Sequence, residues 1–241
     1  VNTHANGDHC WGNQLVGDAR IVASKECAEE IGAPPPETLT ALVKDAPTMG
    51  VLGQFLTRIF GPFDFEGITL RKPDDTFEGE LSLQVDGTEV RLLEVGPAHT
   101  RGDILVHVPS RRVVFTGDIL FVGGHPIVWT GPVRNWVAAL DRVLAMDVDT
   151  VVPGHGRLVD QGAVREEREY LLWVERQAKV RFDAGLSAID AARDMMAEYD
   201  HWGEGERLVV NIAAVYRELD PDRPASFIDL FAQMAELAEN A

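Results

Sequence analysis

Runs of alternating or β-branched apolar residues at 69–72, 81–85, 89–95, 103–108, 112–116 and 150–152 predict strands. Asp86-Gly87, between two of these runs, is a hairpin signal, because both residue types tolerate a left-handed backbone. Pro109-Ser110-Arg111 joins the next pair. Elsewhere the spacing is helical. Met49, Leu52, Phe55, Leu56, Ile59 and Phe60 recur at helical intervals, so residues 37–60 are expected to form one or two helices after the break at Pro34-Pro35-Pro36. A short strand-like run at 21–23 leads into Ser24, which is placed to cap a helix. Residues 134–146 predict a helix with Trp136, Leu140, Val143 and Leu144 inward. Beyond about residue 160 the pattern stays helical, beginning with a stripe of Val164, Leu171, Val174, Ala178 and Phe182. Gly185 closes that helix, and Ser187-Ala188-Ile189-Asp190 opens another with a capping-box-like pattern. Residues 208–219 and 227–237, the latter begun by Ser226, make two more, separated by Pro221 and Pro224.

Strands that end in potential ligands, with helices between them, imply an α/β sandwich with its site at the strand ends. The expected organisation is one domain over 1–160, with a helical insert at about 24–60, and a helical region over 161–241. The apolar stripe of the insert is either core, a lid over the site or one wall of an acyl pocket. The tail either packs on the sandwich, shapes the substrate entrance or mediates a homodimer, a role the insert could share.

Composition narrows the partners. The chain has 241 residues, 45% of them hydrophobic and 25% charged, as expected of a soluble globular protein. No apolar run is long enough to span a membrane. A formal charge of -17 argues against nucleic acid and anionic membranes as partners and leaves a small-molecule substrate. The two cysteines, Cys10 and Cys27, cannot build a disulfide framework and fit a reducing, cytoplasmic setting. Cys10 adjoins His9, yet an extended chain there would turn it away, so a buried structural thiol is expected.

The chemistry lies in four punctuated segments: His4-Ala5-Asn6-Gly7-Asp8-His9, Pro97-Ala98-His99-Thr100, Thr116-Gly117-Asp118 and Pro153-Gly154-His155-Gly156. Imidazole and carboxylate are the donors that borderline divalent ions such as zinc select. Glycines at the last two let the backbone approach an ion closely. His125, Trp11 and Trp129 are candidate substrate contacts, each against a structural alternative. His107 and His201 are read as structural.

This ordered set resembles the metallo-β-lactamase superfamily, with its His-x-His-x-Asp-His motif followed by a lone His, a Gly-Asp and a final Gly-His. The resemblance covers residues 1 to about 160 and implies an αββα sandwich with a C-terminal helical extension. It places His4 and His99 at one metal site and Asp8, His9 and His155 at a second, with Asp118 bridging. The wording around His99 and Asp118 is similar to glyoxalase II and thioesterases. It implies one or two zinc ions and a water activated to attack a thioester, ester or lactone, with Asp8 as the catalytic carboxylate. Asn6 stands in place of the second His, either as a weak ligand or as a hydrogen-bond partner of the ligands, so the second site is expected to hold metal more tightly. The motif comes at once after Val1, where the resembled family places strands first, so the sandwich is expected to be N-terminally incomplete; if the molecule starts at Val1, His4 and Asn6 are expected on a segment prone to fraying. Two other readings stand beside hydrolysis: a single iron oxidising a sulfur substrate, or a degenerate binding scaffold.

Overall fold

Period-two patterning sorts the strand residues onto two faces. In the computed structural model, which describes residues 1–223 and 226–239, Leu92 and Ile104 face one way and Leu93 and Leu105 the other. Pro224 lies outside the described residues. β1 (Val22–Ser24) and β2 (Asp75–Phe77) pair in parallel as a small sheet. β3 (Glu80–Val85), β4 (Thr88–Glu94), β5 (Ile104–Val108), β6 (Val113–Phe121) and β7 (Thr150–His155) form a second sheet in sequence order. It is antiparallel until β7 joins β6 in parallel. The expected hairpin is there: Asp86 and Gly87 take φ of 48° and 75°, and Val85 pairs with Thr88.

One predicted strand is absent. Residues 69–72 make no ladder, because side chains of the turn at Trp11–Leu15 take their backbone groups. Gln14 accepts from the Thr69 N–H at 2.8 Å, and Asn13 donates to the Arg71 carbonyl at 3.0 Å. The strand starts later, at Asp75, after Pro73.

The helices are α1 (Gly7–Cys10), α2 (Lys25–Glu30), α3 (Pro36–Asp45), α4 (Gly50–Phe60), α5 (Val133–Leu144), α6 (Gln161–Asp183), α7 (Ala188–Met195), α8 (Leu208–Leu219) and α9 (Phe227–Glu239). The caps read from the sequence form: Ser24 accepts from Cys27 N–H, Ser187 from Asp190 N–H and Ser226 from Asp229 N–H, each at 3.2 Å. Each such cap is worth about 1 kcal/mol. Val22 of the small sheet meets Leu92 and Ile104, which closes one face of the large sheet. The other face is covered by α5 and α6, and a single apolar cluster runs from Leu93 and Leu105 through Trp136 and Leu171 to Phe55 of α4 and Phe231 of α9. Insert and tail therefore pack into the same core as the sheet. Among the described residues, no helix is long and apolar enough to cross a membrane.

Candidate metal centre

His155 closes β7, Asp118 lies within β6 beside it, His99 follows β4, and His4, Asp8 and His9 sit on the segment that leads into and forms α1. β6 delivers Asp118 and β7 delivers His155, and two glycines let these ends close on each other. A Cβ on Gly154 would stand 1.9 Å from Asp118 Oδ1, and Gly117, at φ 52°, lies against Thr3. The segment of His4 is pinned rather than frayed. Asn2 N–H donates to Val22 O at 2.9 Å, and Thr3 O accepts from Ile104 N–H at 2.9 Å. Asn2 and Asn13 exchange reciprocal amide hydrogen bonds of 2.9 and 3.0 Å. The expectation of fraying fails because these bonds stitch residues 2–3 to both sheets.

His99 is set by a tight turn in which the buried Asp103 carboxyl accepts from the Thr100 N–H at 2.9 Å and the Thr100 hydroxyl at 2.6 Å. Burial pushes the Asp103 carboxyl up to about 7, against those two hydrogen bonds. Nδ1 of His99 lies 2.8 Å from the Ile127 carbonyl. A carbonyl can only accept, so Nδ1 carries the proton and Nε2 presents a lone pair to the centre.

The six ionisable residues converge. Asp118 has His9 Nε2 at 3.1 Å, His99 and His155 Nε2 at 3.4 Å each, and His4 Nε2 at 3.7 Å. Asp8 has His9 Nε2 at 3.2 Å and His155 Nε2 at 3.3 Å. Two groups of donors each fall within 4.8 Å: His4, His99 and Asp118, all buried, and Asp8, His9 and His155 toward solvent. His4 Nε2 is buried without a hydrogen-bond partner, and Asp118 Oδ1 faces the His9 imidazole at 3.1 Å without a formed hydrogen bond. Unpaired buried polar atoms are costly. Their lone pairs aim at shared space rather than at each other, which is the arrangement a divalent ion fits.

Asn6 joins this set by a hydrogen bond. Its Nδ2 donates to His99 Nε2 at 2.9 Å, on the lone pair that faces the centre.

Electrostatics follow from the crowding. Burial alone would raise the Asp118 carboxyl, but the His155 and His9 imidazoles hold it well below the carboxylate range. Burial opposes charge on His9, yet Asp118 and Asp8 outweigh it and raise this imidazole to about 10. The same carboxylates raise His155 to about 9, while burial pushes His4 down to about 3.

The other candidates lie around the centre or away from it. Trp11 packs its indole against Gly7, inside the first motif, and Phe65 meets it edge-on at 5.8 Å. Trp129 stacks on Phe231 at 5.9 Å and 10°. His125 does not face the centre. It is 1% exposed, with Nδ1 2.8 Å from Tyr170 Oη and Nε2 3.3 Å from the Tyr199 carbonyl. Asn211 of α8 donates to Tyr170 Oη and to the Pro126 carbonyl, so this network ties the loop after β6 to the tail. His125 is thus structural, because all its polar atoms are spent inside the fold. Cys10 is a buried thiol that donates to the Ala5 carbonyl at 3.3 Å, and burial pushes it up to about 12. His107 is half-buried in β5, and His201 stacks on Tyr199 at 5.9 Å.

The His125 network makes a pH prediction. Burial, followed by the Arg207 and His201 charges, lowers His125 to about 4, against a pull upward from the Tyr199 carbonyl. A depressed histidine contributes stability that is complete above about pH 6.5 and lost as pH falls through about 4. Denaturant titrations at pH 4, 5, 6 and 7 should therefore show a shallower acid decline for His125→Gln than for the parent. Parallel pH profiles would count against this assignment.

No motif marks Glu167. It sits on the inner face of α6, 1% exposed, and its Oε2 accepts from the Phe121 N–H at 2.7 Å. Phe121 stacks on His155 at 5.2 Å and 13°, so this carboxyl, raised well above its usual range by burial, holds the strand end that orients a candidate ligand. Its one signal in the sequence is a charged residue within the Val164–Leu171 apolar stripe.

The sequence profile of the Metallo-beta-lactamase superfamily matches residues 1–155. The alpha subunit of 2,4-dinitroanisole O-demethylase from Nocardioides sp. is 30% identical over 122 residues, 48% of this chain and 35% of that protein. The linear primary-alkylsulfatase of Pseudomonas sp. is 33% identical over 126 residues, 49% of this chain and 23% of that one. A probable hydroxyacylglutathione hydrolase of Schizosaccharomyces pombe is 34% identical over 102 residues, 41% of this chain and 38% of that one. The matched stretch thus spans well under half of each of these relatives. Among solved structures, the stereoselective inverting sec-alkylsulfatase from Pseudomonas sp. superposes with a TM-score of 0.64 at 17% identity, covering 92% of this chain and 41% of that one. A metallo-beta-lactamase family protein from Thermus thermophilus gives 0.61 at 17% identity, covering 91% and 73%. At that identity the structures share the fold.

Proposed function

Because the chain belongs to the metallo-beta-lactamase superfamily, we propose that it is a metal-dependent hydrolase of a thioester, ester or lactone carbonyl. The observation that carries this reading is the convergence of six ionisable side chains with His4 Nε2 buried without a hydrogen-bond partner. His4, Asp118 and, once Asn6 releases its Nε2, His99 would hold one ion, and Asp8, His9 and His155 a second, with Asp118 reaching both. Zinc is the assignment, since the donors are imidazoles and carboxylates. A bound ion supplies Lewis acidity, which acidifies water and draws charge from the electrophile's oxygen.

The residues do the rest. Asp118, ionised and buried, supplies the negative charge that four imidazoles face. Asp8 is 58% exposed beside His9 and His155, and it is the carboxylate placed to orient a water and accept its proton. The Ile127 carbonyl and the Phe121 ring hold His99 and His155 in orientation. Likeness to a hydroxyacylglutathione hydrolase supports a thioester. Likeness to a primary-alkylsulfatase supports a second reading, in which the bond cleaved is a sulfate ester.

Metal content per chain, measured on protein purified without added metal, tests the proposal together with rates on a thioester, a carboxylic ester, a lactone and an alkyl sulfate before and after chelation. About one zinc per chain and chelator-sensitive hydrolysis are expected. Iron with dioxygen consumption would replace hydrolysis by oxidation, and a chain that binds no metal would be a scaffold. Asn6→His should raise the stoichiometry toward about two, because it replaces an amide donating to His99 by a third imidazole. An unchanged stoichiometry would show that Asn6 does not limit that site.

A further inference from the structure

Aromatic rings form an unbroken series beside the metal centre. Trp11 meets Phe65 at 5.8 Å, Phe65 meets Phe60 at 6.3 Å, Phe60 meets Phe231 at 6.0 Å, and Phe231 stacks with Trp129 at 5.9 Å. The series joins α1's flank, the end of α4, α9 and the loop before α5. Its two ends are built into ligand-bearing segments. At one, the Trp11 indole lies on Gly7, between Asn6 and Asp8, so closely that a Cβ there would stand 2.6 Å from the ring. At the other, Trp129 precedes Thr130 and Gly131, whose N–H groups donate to the carbonyls of His99 at 3.2 Å and Ala98 at 2.8 Å.

Phe231, 4% exposed, lies beneath the row, while Trp11, Phe60, Phe65 and Trp129 are partly exposed. Phe63, 6.2 Å from Phe65, is 62% exposed, and Phe227, 4.5 Å from Phe231, is 47% exposed. Single exposed apolar residues are ordinary, but partly exposed rings joined through one buried ring, with open rims at both ends, offer a binding surface. Rings held against rings are rigid, so little ordering entropy is lost when an apolar group lies on them.

We propose that this row binds the hydrophobic acyl or alkyl tail of the substrate, with the reacting bond at the exposed Asp8 and His155 end. The location of that bond rests on the hydrolase reading; the tail site itself does not. A small substrate is favoured over a second copy of the chain because both ends of the row are joined to the metal-ligand segments. The net charge of -17 also opposes self-association and anionic membranes.

The test is calorimetric titration of chelator-treated protein with a homologous series of neutral 1-alkanols, from butanol to decanol. Burying one methylene is expected to tighten binding about fourfold. Phe63→Ser and Phe227→Ser should each flatten that chain-length dependence. Leu158→Ser, which removes an exposed leucine outside the row, should keep it. Affinity independent of chain length, or unchanged slopes in both phenylalanine variants, would overturn the proposal. So would a dimer in sedimentation that the same two substitutions dissociate, since a second copy would then cover the row. If hydrolysis proved insensitive to chelation while the alkanol slope persisted, the hydrolase reading would fail and the tail site would stand.

Discussion

Asp118→Ala is expected to strip the protein of bound metal and to lower turnover by about a thousandfold or more, with the fold retained. Among the described residues, Asp118 is the one carboxylate within 3.7 Å of His4, His9, His99 and His155 alike. Without it the buried donor group is reduced to His4 and His99, and the outer group loses the anion that His9 and His155 face. Lewis-acid stabilisation worth several kcal/mol disappears with the ion, and each 1.36 kcal/mol is about tenfold in rate. The fold should survive because His9 keeps the Asp8 carboxylate at 3.2 Å, and His155 is 46% exposed and can reach water. Elemental analysis, steady-state rates and thermal unfolding of metal-free parent and variant make the check. A variant that hydrolyses substrate at the parental rate would show that the site lies elsewhere.

Gly154→Ala is expected to damage both the site and the stability, with one methyl group. The added Cβ would fall 1.9 Å from Asp118 Oδ1, 2.7 Å from Gly117 C and 2.9 Å from the Asp118 backbone nitrogen. Two of these three are backbone, so rotating a side chain does not relieve the clash; β6 and β7 must move apart. Overpacking of this kind costs about 1–3 kcal/mol or more. For a chain of this size, about 3 kcal/mol corresponds to roughly 6–12 °C in Tm. Separating the strands also pulls His155 from Asp118, so metal content should fall with Tm. A variant with parental Tm and parental metal content would mean that the two strand ends are not packed as described.

How far the site could be read before folding depends on the residue. The ligand-type residues stood out because each belongs to a short motif framed by glycine or proline. Glu167 did not stand out, since a lone carboxyl in a helix gains its role only when Phe121 of another element meets it. His125 sat in a loop shortly after Asp118 and looked able to enter the pocket. Tyr170 and Tyr199, 45 and 74 residues away, claimed both of its nitrogens. Residues 69–72 had strand composition, yet Asn13 and Gln14 took their backbone groups. The pinning of the first motif by Asn2 and Asn13 likewise shows only once the turn after α1 brings the two amides together.

By itself the sequence determined most strand and helix segments, three helix caps, the Asp86-Gly87 hairpin and the candidate ligand residues. Those signals act over a few residues, through side-chain periodicity, local hydrogen bonds and backbone freedom. Only the tertiary structure decided that Asn6 donates to His99, 93 residues on, and that His9 and His155 face each other across 146 residues at 3.3 Å. It alone ran an aromatic row from the first motif to the last helix. The reason is that such contacts are set by the pairing of β6 with β7 and by the packing of α4 on α9, and no local pattern encodes which distant elements meet.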